Sequence, residues 1–342
     1  MAKLCFPEKW ISWVTGYVTT PSFFVLINGK PYGNIHPSRE IRQGDHLSLP
    51  YLFLLCAKGF TSLLAKAEVE WRIKGVSLCR RAPKISNLMF VDDSLLFCQA
   101  TQSEVTVVNE VLQAYANASS QCINMEKSSV FSSSITPASQ KVEIVSVLGV
   151  KEVEWFESYL GLPTLVGQAK YQTFSFLKDR VWKKLQGWKG KLLSKTGKEV
   201  LIKAVAQSIP TYAMGVFQLP LKLCDELNAL CAKFWWVQVG DERKVHWKSW
   251  DRLSKPKNDG GMRFWDLRSF NLAMLAKQGW RLLHDYDSLL FKCFKARYFP
   301  RCHFLDVVDS PSSSYVWKSM AAGCTTNFKE RLLLEGRKWC VH

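Results

Sequence analysis

The sequence has no hydrophobic run long enough to cross a bilayer. Its most apolar stretch, Leu47 to Ala57, falls well short of the roughly 20 residues a membrane helix needs. It also has no basic amphipathic helix with a clean apolar face, so a membrane surface finds no docking element. Acidic residues are scarce, 29 Asp and Glu against 46 Lys and Arg, which leaves +17 on 342 residues. With 47% hydrophobic and 22% charged residues the chain is globular rather than disordered, and its positive excess points to a polyanion, most simply nucleic acid. There is no C-x-x-C and no secretory leader ahead of Cys5. Eleven cysteines at irregular spacing therefore read as reduced, mostly buried thiols of an intracellular protein, in the nucleus or cytoplasm with an organelle left open. Cys302-His303 and Cys340-x-His342 lack the partner pairs of a zinc site. No internal repeat and no long low-complexity linker divides the chain. The opening residues, through Trp10, are no targeting segment and read as the middle of a helical domain, so the chain is expected to begin late.

What is present alternates between helical and hairpin signals. Ile11 to Tyr17 suits one helix. Phe23 to Ile27 runs into Asn28-Gly29, a tight-turn pair, with a return strand from about Tyr32 to Ile35. Ser38 to Asp45 is a polar loop whose Gly44 lets a backbone approach a partner closely. Pro50 to about Glu70 has the spacing of a buried helix, and Ser103 to Ala116 that of an amphipathic one, with Val105, Val108, Val111 and Leu112 on one side. Helices beside antiparallel strands predict an α+β domain. Beyond the serine-rich stretch near Ser132 the texture turns helical and aromatic. Leu177, Val181, Leu185, Trp188 and Leu192 make a helical stripe that Gly187 and Gly190 weaken. Thr196 and Glu199 have capping-box spacing, and the helix they open should stop before Pro210.

Two features carry chemistry. Phe90-Val91-Asp92-Asp93 lies between Leu88-Met89 and Leu95-Leu96-Phe97, which puts adjacent carboxylates at the tip of an apolar hairpin. A divalent cation relieves their repulsion with hard oxygen ligands, and two-metal nucleotidyl transfer uses such sites. On these four residues alone an ordinary Asp-Asp turn is the better reading. The second feature is Lys178 to Lys203, with nine basic residues against Asp179 and Glu199 and with Trp182 and Trp188 interleaved. A solvated helix face and a phosphate-backbone surface explain it equally well.

Taken together these segments resemble the reverse transcriptase of plant LINE-type (non-LTR) retrotransposons over nearly the whole chain. Ile41 to Asp45 with the following Leu-Ser and Tyr-Leu-Phe is similar to the family's R-Q-G-D-P-L-S-P-Y-L-F motif. Leu88 to Phe97 is similar to its L-x-F-A-D-D-x-x-x-F box, Ile123 to Ser128 to I-N-x-x-K-S, and Tyr159 to Pro163 to Y-L-G-L-P. Lys198 to Lys203, Phe234-Trp235-Trp236, Lys257 to Gly261 and Lys277 to Arg281 continue the likeness in order. The resemblance implies a partial right-hand polymerase palm over residues 1–135, then the palm end and a basic helical thumb over 136–215, then an aromatic-rich helical region over 216–342. It implies RNA-directed DNA synthesis with Mg²⁺ or Mn²⁺, on an RNA template and a DNA primer, from deoxynucleoside triphosphates. Asp92 and Asp93 would hold the metal. Arg42, Gln43, Gly44 and Val91 would line the nucleotide and template pocket. Lys127 would approach the triphosphate as a general acid, its alternative being a surface lysine in a turn. Tyr159 to Pro163 would grip the primer. Lys183, Lys184, Lys189, Lys191, Lys195 and Lys198 would contact nucleic acid.

The chain departs from that pattern where it matters most. Right-hand polymerases use a further aspartate from an upstream strand, and residues 1–44 hold none, with Glu8 and Glu40 the only acids there. Glu40 stands where the family has glycine, His46 replaces proline, and Leu49 is an extra residue before Pro50. Such an insertion turns the following side chains by about 100° unless a loop absorbs it. Val91 replaces the usual alanine, and residues 260–265 depart from a usual G-G-L-G-F-R. The expectation is a truncated reverse transcriptase fragment, inactive in this form. The alternatives are a non-catalytic RNA- or DNA-binding protein derived from a retroelement, and a fragment that cannot fold.

Overall fold

A computed structural model describes residues 1–2, 5–36, 49–119, 121, 123–188, 193–236, 247–307 and 312–332, and the side chains within all of these except 49–51 and 325–332. The chain forms two compact units, residues 1–77 with 84–156, and residues 78–83 with 157–342. The packing thus divides the chain at 156/157, inside the stretch expected to join palm end and thumb.

The first unit opens with α1 (Glu8–Thr19), which buries none of its residues. β1 (Phe23–Ile27) and β2 (Lys30–Ile35) follow as an antiparallel hairpin, with Ile27 opposite Lys30. Only Asn28 and Gly29 turn it, both at positive φ (50° and 77°), the conformation that a two-residue hairpin loop asks of Asn-Gly. Every residue of both strands is exposed, Leu26 to 71%. α2 (Leu49–Val69) supplies the core stripe Phe60, Leu64 and Ala67 at helical spacing. β3 (Val76–Ser77) pairs with β4 (Lys84–Ile85), and β5 (Asn87–Phe90) with β6 (Asp93–Leu96). α3 (Gln102–Ser119) lays Val108 and Val111 against the α2 stripe, and the Phe60 and Tyr115 rings lie 4.9 Å apart. The buried Glu104 at the start of α3 accepts the Gln99 N–H (2.9 Å), so the helix N-terminus gains a carboxylate that also fixes the chain leading to it.

β7 (Ser129–Phe131), α4 (Ala138–Leu148) and β8 (Lys151–Val153) make a crossover, with the two strands parallel. α4 ends where Gly149 takes a left-handed conformation. Among the described residues all strands pair in twos, and β7–β8 is the parallel pair. The architecture is α+β, as the sequence predicts, but its strands form separate two-stranded pieces instead of one continuous antiparallel sheet.

The second unit is mostly helical after a two-residue hairpin, β9 (Ser158–Tyr159) and β10 (Leu162–Pro163), turned by Leu160 and Gly161. α5 (Lys170–Trp188) buries Phe174, Leu177, Val181 and Leu185, three of them from the expected stripe. α6 (Lys195–Leu201) is capped by Ser194, whose hydroxyl accepts the Gly197 N–H at 3.1 Å. The expected Thr196–Glu199 capping box does not form, because Thr196 lies inside the helix and Glu199 pairs with Lys203 instead. A π-turn (Ile202–Ala206) leads to α7 (Thr211–Met214), and helical structure breaks around Pro210. α8 (Leu221–Trp236), α9 (Trp250–Ser254), α10 (Leu267–His284), α11 (Leu289–Tyr298) and α12 (Tyr315–Leu332) complete the unit.

Its core is threaded by polar staples. Asn271, 2% exposed, accepts the Leu219 N–H (2.7 Å) and donates to the Met214 and Phe217 carbonyls (3.0 and 2.9 Å). These bonds satisfy a chain reversal that has no helix of its own to do so. α10 and α12 pack closely because Gly279 and Gly323 lack side chains. A Cβ on Gly279 would lie 2.1 Å from Cys324 Sγ, and one on Gly323 2.7 Å from Leu275 Cβ. Trp317 fills the neighbouring cluster, ringed by Phe294, Tyr298, Phe299 and Phe304.

Candidate functional site

The β5–β6 register pairs Phe90 with Asp93, so Val91 and Asp92 alone make the turn. Val91 has φ 51°. A β-branched residue is strained in that left-handed region, by roughly 1–3 kcal/mol, and such strain gathers at working sites. Alternation does the rest. Met89 and Leu96 face the α2–α3 core, and Thr61 Oγ1 lies 3.5 Å from the Met89 sulfur. Leu88, Phe90, Asp93 and Leu95 therefore share the opposite face, where Phe90 is 57% exposed. Asp92 and Asp93 are both exposed, at the turn of a hairpin whose two edges pair with no further strand among the described residues.

The structure thus brings Val91, Asp92 and Asp93 together. Lys127 is in the same unit, exposed, on the turn before β7, and its N–H donates to Asn124 Oδ1 (3.1 Å). Asn124 organises that turn, since its carbonyl also accepts from the Ser128 N–H and hydroxyl (3.0 and 2.8 Å). The I-N-x-x-K-S likeness includes this residue without a role of its own, although an Asn ahead of a polar turn is a known signal. Arg42, Gln43, Gly44, Lys189 and Lys191 lie outside the described residues.

The basic stretch divides in two. On α5, Arg180, Lys183 and Lys184 are exposed beside a half-exposed Trp182, while Lys178 pairs with Glu226 at 2.9 Å. On α6 the cations reach the aromatic end of α8, Lys195 from an exposed position and Lys198 from a buried one. Lys195 donates to the Trp235 carbonyl (3.1 Å) and lies over the Trp235 and Trp236 rings (4.8 and 5.1 Å). Lys198 is only 3% exposed, with its ammonium over Phe234 (5.6 Å). Both cations hold the aromatic end of α8, and the buried Lys198 does so where a desolvated cation–π contact is at its strongest. Glu199, held by Lys203 at 2.5 Å, keeps a carboxyl below the usual range, first through that hydrogen bond. The Tyr171 hydroxyl, then Lys178, does the same for Glu226.

Burial pushes the Cys231 thiol up to about 12 and the Cys224 and Cys324 thiols to about 11, so these three are inert packing groups at neutral pH. Among the described residues no group of three or more His, Cys, Asp or Glu side chains converges to hold a metal, and no helix is long and apolar enough to cross a membrane.

An α+β unit with paired acids on a strained hairpin turn, followed by a helical unit with a basic helix face, defines the architecture. Residues 1–155 match the model of the reverse transcriptase (RNA-dependent DNA polymerase) family. An uncharacterized mitochondrial protein of Arabidopsis thaliana is 38% identical over 117 residues, 34% of this chain and 76% of that protein. A putative ribonuclease H protein of the same plant is 32% identical over 168 residues, 47% of this chain and 26% of that protein. A second uncharacterized mitochondrial protein of the plant is 44% identical over 69 residues, 20% of this chain and 56% of its own length. The likeness to the reverse transcriptase family thus rests on residues 1–155, which match the family domain.

That family works with divalent metal ions. Asp92 and Asp93 offer the right class of donor for Mg²⁺ or Mn²⁺, but two neighbouring exposed carboxylates do not complete a two-metal centre. The described donor set does not fit that centre.

Proposed function

We propose that this chain derives from the reverse transcriptase of a plant non-LTR (LINE-type) retrotransposon and binds RNA and DNA without polymerising them. The observation that carries the reading is the hairpin turn, where two carboxylates of the family's acidic box stand exposed on a strained Val91-Asp92 turn with no third donor beside them among the described residues. By this reading residues 1–135 are palm-derived and 136–215 are the palm end and thumb. Asp92 and Asp93 are the remnant metal ligands, Arg42, Gln43, Gly44 and Val91 the remnant nucleotide and template pocket, and Lys127 the remnant triphosphate contact. The exposed cations of α5 meet phosphate, with Trp182 available to stack on a base. An RNA template, a DNA primer and deoxynucleoside triphosphates are the inherited partners.

Primer extension on an RNA template with Mg²⁺ or Mn²⁺ tests the catalytic half of the proposal. No product is expected from this chain, and templated synthesis that disappears in D92N would refute the reading. Filter binding tests the other half. RNA affinity is expected to survive D92N and to fall steeply with salt, and a flat salt dependence would remove the phosphate contacts.

A further inference from the structure

The connection between β3 and β4, Leu78–Pro83, packs with the second unit. It is a tight turn, closed by the Ala82 N–H on the Cys79 carbonyl at 3.0 Å. Together with α11 and the residues after it, this turn bounds an open groove of about 440 Å³. Three cations line the groove, Arg81 from the turn and Lys292 and Lys295 from one face of α11. Its apolar lining includes Pro83, Phe291 and Pro300, and among the described residues no acidic side chain lines it. The nearby carboxylate, Asp287, lies 3.8 Å from Lys292 Nζ and is itself fully solvated, so it neutralises little. Lys295 is fixed in place, donating to the Cys302 carbonyl (2.9 Å) with its ammonium over the Phe299 ring (5.1 Å).

We infer that this groove is a binding site for single-stranded nucleic acid, separate from the basic face of α5. Three cations around an apolar, partly aromatic surface match a polymer with an anionic backbone and flat faces. A duplex hides its base faces and would use the cations alone. A groove open at the surface lets a strand pass through, where a small ligand would need a closed pocket. The inference rests on the reading of this chain as a nucleic-acid binder, but none of its residues belongs to the 178–203 stretch.

The test is fluorescence anisotropy with a labelled oligouridylate and a duplex RNA of equal length, on the full chain. Arg81 and Lys292 are both exposed, so R81Q/K292Q should fold as the wild type does, which a thermal melt checks. The double variant is expected to bind the single strand about tenfold more weakly near physiological salt, with a log–log salt slope shallower by about 1.4. The charge-retaining R81K/K292R is expected to bind as the wild type. K277Q/R281Q removes the same charge from an exposed face of α10 and is expected to leave binding unchanged. Unchanged single-strand binding in R81Q/K292Q would overturn the site, as would equal losses in K277Q/R281Q. An equal loss for duplex would overturn its single-strand character. A wild-type chain that binds neither RNA would sink the nucleic-acid reading itself, a failure distinct from loss of the groove alone.

Discussion

The two units solve the same problem with unequal means. The second has a continuous helical core, from Phe174 and Leu177 on α5 through Leu223 and Leu227 on α8 to Leu267 on α10, with polar staples at its chain reversals. The first has a small cluster between α2 and α3, an exposed helix α1, and two-stranded hairpins that show apolar faces to solvent. The unit that matches the polymerase family is thus the one with less packing to hold it. An open, apolar hairpin is also a template for edge-to-edge association. The half outside the matched residues 1–155 is the better packed half.

Substitutions sharpen this contrast, the largest first. Phe174→Ala is expected to cost the second unit about 3–5 kcal/mol in chemical denaturation, because the side chain is fully buried. Phe24→Ala on β1 should change stability by no more than about 0.5 kcal/mol. A cost at Phe24 comparable to that at Phe174 would show that the hairpin is covered in solution and break the comparison. Asn271→Leu should cost about 3 kcal/mol, since it leaves the Leu219 N–H and two carbonyls buried without partners.

Acid should destabilise the second unit. Glu199 and Glu226 have folded-state pKa values below their ordinary 4.5, so the unfolded chain takes up protons first as pH falls. Their contribution is complete above about pH 4.5 and is lost as pH falls through the lower folded values. Denaturation midpoints measured from pH 6 downward should therefore decline for the second unit, and Glu199→Gln should flatten part of that decline. A pH-independent midpoint in the wild type would remove the ion-paired clamp from the account. The smallest effect is expected at the turn. Val91→Gly relieves the left-handed strain but adds freedom to the unfolded chain, for a net gain of about 0.5 kcal/mol.

Local signals read true where one residue pair or one period decides the structure. Asn28-Gly29 gave its hairpin, the Leu177–Val181–Leu185 stripe gave α5, and the acidic box gave the Phe90–Asp93 pairing. Non-local choices were hidden. The parallel β7–β8 pair depends on a crossover through α4, which neither strand's sequence announces. Ser194 won the cap from Thr196 because Glu199 found Lys203. The lysines of α6 read as surface charge along the sequence, and only the aromatic end of α8 draws them to its rings and buries Lys198. At the candidate site the identities of Asp92 and Asp93 were legible, but the strain at Val91 belongs to backbone geometry.

The central claim is that the acids on the β5–β6 turn no longer form a complete metal centre. Titrating the chain with Mn²⁺ and following the free ion by electron paramagnetic resonance tests it most directly. The expected result is binding no tighter than the millimolar range, weakened further by D92N. Tight, saturable uptake of two ions per chain, abolished by D92N, would contradict it.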